Sequence, residues 1–217
     1  LLDFRKGEMS SHHLSLSEGD IITYIQGVCD SFLLMADKKQ IHFSFFSSVD
    51  HFTMAFDADK VGKIVMNLLA NAFKFTPEGG RVTVMVEHIQ EDIDVIEIKV
   101  ADTGVGISDA DKEHIFDRFY QADNRNKALH VGTGIGLALT KSIIQLHHGT
   151  IEVESELNEG SCFIVKLPKN RDCFEKDTEV VFLESPEKEP MVQENTIPDE
   201  SFMKKDDFSF ETPLIDE

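Results

Sequence analysis

Apolar residues in the first part of the chain recur with two periods, and these predict helices and strands. Residues 58–75 follow the helical period behind an N-cap at Asp57. Residues 15–39 and 135–149 follow the same period, and Ser17 has capping-box spacing with the acid three residues later. We therefore predict three main helices, with the first beginning at Ser17.

Alternating apolar and polar residues predict strands that come in pairs joined by polar or glycine-containing turns. The pairs are residues 41–48 with 51–57, 81–89 with 94–102, and 150–157 with 161–168, and a short helix is predicted at 109–119. Strands in pairs favour a mixed, largely antiparallel sheet with the helices stacked on one face, which is an α/β two-layer sandwich. A doubly wound parallel sheet would need a helix after nearly every strand.

The C-terminal segment differs in composition from the rest of the chain. Residues 171–217 contain 15 acidic and 5 basic residues and four of the six prolines, without a sustained hydrophobic period. Such a composition is typical of disorder. We interpret this segment as an acidic linker or tail, and a small folded cap is the alternative.

Charge and cysteine content limit the possible partners. The net charge of −19 argues against nucleic acid and against contact with anionic membranes, and no apolar run is long enough to span a bilayer. Cys29, Cys162 and Cys173 form no Cys-x-x-Cys pair, which favours a reducing compartment. The start at Leu1 resembles neither an initiation site nor a signal peptide, so we expect a piece of a longer protein.

Two glycine turns are candidates for a nucleotide site. The second glycine turn, GTGIG at residues 132–136, opens a predicted helix, where backbone N–H groups attract anions. It fits neither the P-loop nor the dinucleotide fingerprint, because Leu137 stands where each requires glycine. The first glycine turn, DTGVG at residues 102–106, begins with Asp102, whose carboxylate can accept a hydrogen bond from an exocyclic amine such as that of adenine. A helix hinge and a simple Asp turn are the alternatives.

Three polar residues share one face of the predicted helix 58–75. Asn67, Asn71 and Lys74 are four and three residues apart, beside the apolar stripe. An Asn carbonyl oxygen is a suitable Mg²⁺ ligand, and a Lys can contact the phosphates that share the ion. A solvated polar edge is the alternative for this face.

Together these elements resemble the catalytic ATP-binding domain of sensor histidine kinases, in the GHKL superfamily with the Bergerat fold. The similar motifs, in the family's order, are NLLANAFKFT, ADTGVGIS, IFDRFYQ, GTGIGLALTKSIIQLHHGTIEVES and EGSCFIVKLP. The resemblance is strongest to hybrid kinases of Bacteroides-type bacteria. It implies a dimerisation-helix remnant and connector at residues 1–16, the ATP domain at 17–170, and a linker at 171–217.

The resemblance implies a role for each candidate residue. Asn71 would hold Mg²⁺ with Asn67 in support, Lys74 would face phosphate, and Asp102 would bind the adenine amino group. Phe116 and Phe119 would anchor an ATP lid at about residues 120–133. The remaining nucleotide-binding positions that it implies are Phe75, Gly104, Gly106, Ile107, Gly132, Thr133, Gly134, Ile135, Gly136, Leu137 and Ser161.

The resemblance also implies the reaction and the partners. The domain would bind ATP and Mg²⁺ and donate the γ-phosphoryl to a His on a separate dimerisation domain, with a receiver domain as the second partner. The parent protein would be a homodimer. This domain would lie in the cytoplasm, as part of a sensor of a class that includes membrane-anchored proteins. His12 and His13 lie in a polar turn and do not fit the acceptor, and no general acid or base is assigned.

Two other functions stay open at this point. The first is a GHKL ATPase, although such enzymes usually carry a water-activating Glu where this chain has Asn67. The second is a non-catalytic nucleotide-binding or docking module. Elsewhere, His147 and His148 end a predicted helix, where a protonated imidazole is favoured by the helix dipole.

Overall fold

The computed structural model describes residues 13–90, 93–121, 133–169 and 180–182. Its helices are α1 (Ile21–Asp30), α2 (Leu33–Lys38), α3 (Ala58–Phe75), α4 (Asp109–Lys112) and α5 (Gly136–Leu146). Its strands are β1 (Leu14–Asp20), β2 (His42–Ser47), β3 (Thr53–Phe56), β4 (Arg81–Ile89), β5 (Val95–Asp102), β6 (Thr150–Glu156), β7 (Gly160–Pro168) and β8 (Val180–Phe182). Most of the expected helix remnant, Gly132 with most of the expected lid, and most of the expected linker lie outside the described residues.

Five strands form the larger sheet in the order β2-β4-β5-β7-β6. The pair β2–β4 is parallel, and the other three pairs are antiparallel. One face of the sheet is buried because alternate residues are apolar, as with Ile96, Ile98 and Val100 of β5, each at most 1% exposed. The predicted fold class, a mixed and largely antiparallel sheet with helices on one face, is confirmed.

Helix α3 is the main helix of the core, and its cap is the one that the sequence predicts. The Asp57 side chain accepts a hydrogen bond from the Lys60 N–H at 3.0 Å. The apolar stripe of α3 is fully buried against the sheet and α1. Because that stripe is fixed in the core, the polar residues beside it are held at a definite edge of the helix. The buried stripe contains Val61, Ile64, Val65, Leu68 and Leu69.

The predicted start of the first helix at Ser17 is wrong. Ser17 lies in β1 opposite Phe56 of β3, within a second sheet of order β3-β1-β8. The helix α1 begins at Ile21, behind an N-cap at Asp20. Leu14 of β1 pairs with Val180 of β8 and is 1% exposed. The helical pattern therefore begins later than predicted, because distant strands complete the backbone hydrogen bonding of β1.

The predicted hairpin of residues 41–48 with 51–57 is also wrong. Strand β2 lies beside β4 in the larger sheet, whereas β3 pairs with β1 in the smaller one. The chain between them is held by Asp20, whose side chain accepts a hydrogen bond from the Phe52 N–H at 2.9 Å. This contact directs β3 toward β1 and away from β2.

His147 corrects a further prediction. It is 2% exposed, and burial lowers its pKa, although its hydrogen bond to the Ile143 carbonyl and the nearby Asp57 act in the opposite sense. Its Nδ1 donates to the Ile143 oxygen at 2.9 Å, and its Nε2 accepts from the Asp57 N–H at 3.5 Å. His147 is therefore a neutral buried residue and not a cation at the end of the helix.

Candidate functional site

A cavity of about 350 Å³ opens between α3, the two glycine turns and the turn between β6 and β7. Most of the residues that the sequence singles out line it. From that set, the lining residues are Asn67, Asn71, Lys74, Phe75, Asp102, Gly106, Ile107, Thr133, Gly134, Gly136, Leu137 and Ser161. Segments that are far apart in sequence thus meet at one site.

The helix side of the cavity is formed by α3 and the beginning of α5. Asn67 donates from Nδ2 to the Thr140 Oγ1 at 2.8 Å, which ties α3 to α5. A Cβ at Gly136 would lie 2.5 Å from the Asn67 Oδ1, so glycine is what permits this close approach. Two turns further along α3, Lys74 lines the cavity, and burial lowers the pKa of its ammonium group.

The strand side of the cavity is built around Asp102 at the end of β5. Burial raises the pKa of Asp102, although hydrogen bonds from the backbone of Gly104 and Ser161 oppose that shift. The Gly104 N–H lies 2.7 Å from Oδ1. Asp102 is partly shielded from water and lines the cavity, so its carboxylate is suited to accept a hydrogen bond from a donor group of a buried ligand.

The first glycine turn is closely packed on both of its flanks. A Cβ at Gly104 would lie 2.6 Å from the Phe75 carbonyl oxygen at the end of α3. Gly106 has φ +69°, and a Cβ there would lie 1.9 Å from the Glu156 carbonyl oxygen. Only glycine fits these two positions, so the turn can lie directly against both α3 and β6.

Some predicted residues lie outside the cavity lining, namely Gly104, Phe116, Phe119 and Ile135. Phe116 instead packs edge-on against the lining residue Phe163, with ring centroids 6.4 Å apart. The Phe119 N–H donates to the Gly134 carbonyl at 2.8 Å, which joins the two ends of the expected lid. The predicted helix 109–119 is reduced to the single turn α4.

The described residues at the cavity form no ready-made cluster of acidic, His or Cys metal ligands. Within the described ranges, no group of three or more His, Cys, Asp or Glu side chains could hold an ion together. A divalent ion here would therefore need ligand oxygens in addition to an Asn71 carbonyl, which fits Mg²⁺ shared with phosphates.

Among the described residues, no helix is long and apolar enough to cross a bilayer.

Comparison with known proteins agrees with this geometry. Residues 56–171 match the family described as "Histidine kinase-, DNA gyrase B-, and HSP90-like ATPase". The chain belongs to this family. It is 37% identical over 184 residues to histidine kinase P4 of Formosa agariphila, a match that covers 83% of this chain and 13% of that protein. The chain thus spans only a small part of that relative.

Two solved histidine kinase structures have folds similar to that of this ATPase domain. The nucleotide-free catalytic domain of histidine kinase ThkA has a TM-score of 0.61 and 26% identity, covering 71% of this chain and 96% of that chain. Full-length ShkA in complex with AMPPNP has a TM-score of 0.63 and 30% identity, covering 71% and 31%. The fold and the family expected from the motifs are therefore confirmed.

Sequence reasoning missed several lining residues of this ATPase domain. Tyr120 donates from its hydroxyl to the Asp111 carboxylate at 2.6 Å, which ties the chain after Phe119 to α4. In the sequence, Asp111 is one of several acidic residues near the start of the predicted helix 109–119, and nothing there indicates a contact with Tyr120. Leu157 offered a usable signal, since it is an apolar residue in an otherwise polar turn. The missed residues are Ala70, Ala72, Val105, Asp111, Ile115, Tyr120, Gln121, Leu157 and Phe163.

Proposed function

We propose that this chain is the Mg-ATP-binding catalytic domain of a sensor histidine kinase and donates the γ-phosphoryl of ATP to a His on a separate dimerisation domain. The observation that carries the proposal is the convergence of Asn71, Asp102 and the second glycine turn on one cavity. These groups supply contacts for a base at one end and for phosphates at the other. The chain's membership of the histidine kinase-like ATPase family also supports an ATP-binding role.

The adenine end is assigned to the strand side. Asp102 accepts a hydrogen bond from the exocyclic amine, and Ser161 stands opposite it in the β5–β7 register. Gly104 and Gly106 shape the turn beneath the ring, because a Cβ at either position would meet the backbone of Phe75 or Glu156. Ile107, Phe75 and Leu137 supply apolar wall at the same cavity.

The phosphate end is assigned to the helix side. Asn71 offers its carbonyl oxygen to Mg²⁺, which would neutralise phosphate charge when bound. Lys74 supplies a point charge, and the first turn of α5, from Gly136, presents backbone N–H groups to the same phosphates. Thr133 and Gly134 approach from the loop before α5. Gly132 keeps its expected role as a hinge, outside the described residues.

The chemistry of transfer rests on positioning and charge neutralisation, since phosphoryl transfer needs little covalent help from the protein. No residue of this chain is assigned as general acid or base. The acceptor His lies on the dimerisation domain, and a receiver domain takes the phosphoryl group onward. We propose that the parent protein is a homodimer and that this domain lies in the cytoplasm.

The test of the site is calorimetric binding of Mg-ATP. Asp102→Asn should abolish binding because an amide presents a donor where the adenine amine needs an acceptor, and Asn71→Asp should abolish it because it adds a charge beside the phosphates. Asp94→Asn, just before the opposite end of β5, is the matched control and should bind as the wild type does. Unchanged affinity in both site variants contradicts the assignment.

The test of the reaction uses the dimerisation helices added in trans with ³²P-labelled ATP. Acid-labile label on those helices is expected, and tight ATP binding without label would favour a docking module. Steady phosphate release by the domain alone would favour a hydrolytic ATPase. We expect little release, because the Asn67 amide is not a base and its nitrogen is already bonded to Thr140.

A further inference from the structure

The turn between β6 and β7 places a large apolar side chain at the wall of the cavity. Leu157 lines the cavity and is 58% exposed, although leucine in a solvated turn gains nothing from water contact. Its neighbours Asn158 and Glu159 are polar, as expected for a turn. An exposed leucine that faces a cavity is suited to pack on an apolar surface of a ligand.

The turn is held in place by contacts to the first glycine turn. The Asn158 N–H donates to the Val105 carbonyl at 2.8 Å, and the Ile107 N–H donates to the Ser155 Oγ at 2.8 Å. Lys112 of α4 adds a bond from Nζ to the Ser155 carbonyl at 3.0 Å. The backbone that carries Leu157 is therefore fixed relative to the wall of the cavity before any ligand arrives.

Leu157 lies next to the first glycine turn, since a Cβ at Gly106 would be 3.0 Å from the Leu157 Cα. Val105 of the first glycine turn, Ile107 just after it and Phe163 of β7 line the same cavity. Asp102 is the acceptor at this cavity, so a ring bonded to it would share the cavity with these apolar side chains. A flat heteroaromatic base fits such a slot better than a sugar or a phosphate does.

We propose that the β6–β7 turn is part of the nucleotide site and that Leu157 covers one face of the purine base. This inference rests on the proposed function and assigns a further binding residue to that site. The side chain contributes affinity by shielding the base from water, and it takes no part in phosphoryl transfer.

The first experiment measures Mg-ATP affinity by calorimetry. Leu157→Ala should weaken binding about tenfold, since it removes the isopropyl end of the side chain from a ligand contact. Leu157→Met should bind within about twofold of the wild type, because it keeps the apolar volume. Leu33→Ala is the matched control, since Leu33 is 53% exposed and does not line the cavity. Thermal unfolding of each variant verifies the fold.

The second experiment observes the contact itself by NMR of leucine methyl groups. On saturation with Mg-ATP, the Leu157 methyl resonances should shift through the ring current of the base, whereas those of Leu33 should stay in place. The Leu157 signals are assigned by their loss in Leu157→Ala.

The outcomes separate the inference from the proposed function. If the wild type does not bind Mg-ATP, the proposed function fails and Leu157 has no role. If Asp102→Asn abolishes binding but Leu157→Ala leaves it unchanged, the site stands and this inference is overturned. Unmoved Leu157 methyls in the saturated protein, or a Met variant as weak as the Ala variant, overturn it too.

Discussion

The strand side and the helix side of the cavity are built from different kinds of contact. On the strand side, main-chain groups of neighbouring turns bond to one another, as with the Asn158 N–H and the Val105 carbonyl. On the helix side, α3 and α5 are joined by side chains, through Asn67 with Thr140 and through His147 with the Asp57 N–H. The strand side therefore has main-chain pairing that no substitution removes, with added contacts from the Ser155 and Lys112 side chains, whereas single substitutions or pH can remove the polar links named on the helix side.

The largest expected effect comes from alanine at a glycine of the strand side. Gly106→Ala should lower the free energy of unfolding by about 3 kcal/mol, because it combines a positive φ with a Cβ only 1.9 Å from the Glu156 carbonyl oxygen. That neighbour is strand backbone at the end of β6 and cannot move aside. Urea denaturation of the variant and the wild type measures the difference.

Gly134→Ala is the matched variant on the helix side. Gly134 also has a positive φ, and a Cβ there would lie 2.7 Å from the Phe119 backbone, a less severe approach than the 1.9 Å at Gly106. We expect a loss of about 2 kcal/mol in unfolding, with a clear loss of Mg-ATP affinity. Equal losses of stability in the two variants would contradict the distinction between the two sides.

The same distinction explains what the sequence could and could not predict. The polar face of α3 was predictable, because Asn67, Asn71 and Lys74 lie beside a buried stripe whose period is local. The turn chemistry at Asp102 was predictable for the same reason. No local pattern shows that residues near 70, 104 and 134 meet, so only the family resemblance brought them to one site, and that resemblance did not include Leu157.

The errors follow from contacts between distant segments. Ser17 lies in a strand because β3 and β8 pair with β1, and a helical period that begins at Ile21 hides this. Leu157 was missed although it is an apolar residue next to polar ones, because only the structure shows the cavity wall to which it belongs. His147 was assigned a charge from its place at the end of a helix, whereas burial decides its protonation state.

The next effect concerns pH and acts on the helix side. Burial lowers the pKa of His147 in the folded state, so below the ordinary imidazole pKa the unfolded chain binds a proton that the fold does not. This contribution to stability is present above that pKa and is lost as the pH falls, by at most about 1.4 kcal/mol per pH unit. Lys60 and His148 add to the lowering, and Asp57 opposes it.

The measurement compares urea unfolding of the wild type and His147→Gln between pH 7.5 and 5. The variant should be less stable at pH 7.5 and should lose less stability on acidification. His51→Gln is the control of opposite sign, because the hydrogen bond to Asp20 raises the pKa of His51 and stabilises the fold at low pH. That variant should lose more stability than the wild type on acidification. Parallel curves for His147→Gln and the wild type would contradict the neutral assignment.

The smallest expected effect tests the bond that joins the two helices beside the ligand. Thr140→Val removes the hydroxyl that accepts from the Asn67 Nδ2 while it keeps the volume of a buried side chain. We expect a loss of about 1 kcal/mol in unfolding, since half-buried Asn67 can regain a bond to water. Thr150→Val, at an exposed position of β6, should cost less.

A double-mutant cycle decides whether that loss belongs to the pair. Asn67→Ala, Thr140→Val and the double variant should give a coupling free energy of about 1 kcal/mol in urea unfolding. Thr140→Val should also weaken Mg-ATP binding a few-fold, because Asn67 then loses its fixed orientation next to Asn71. A coupling near zero would mean that the Asn67–Thr140 bond does not hold α3 to α5, and the polar link between the helices would then rest on His147 and the Asp57 N–H.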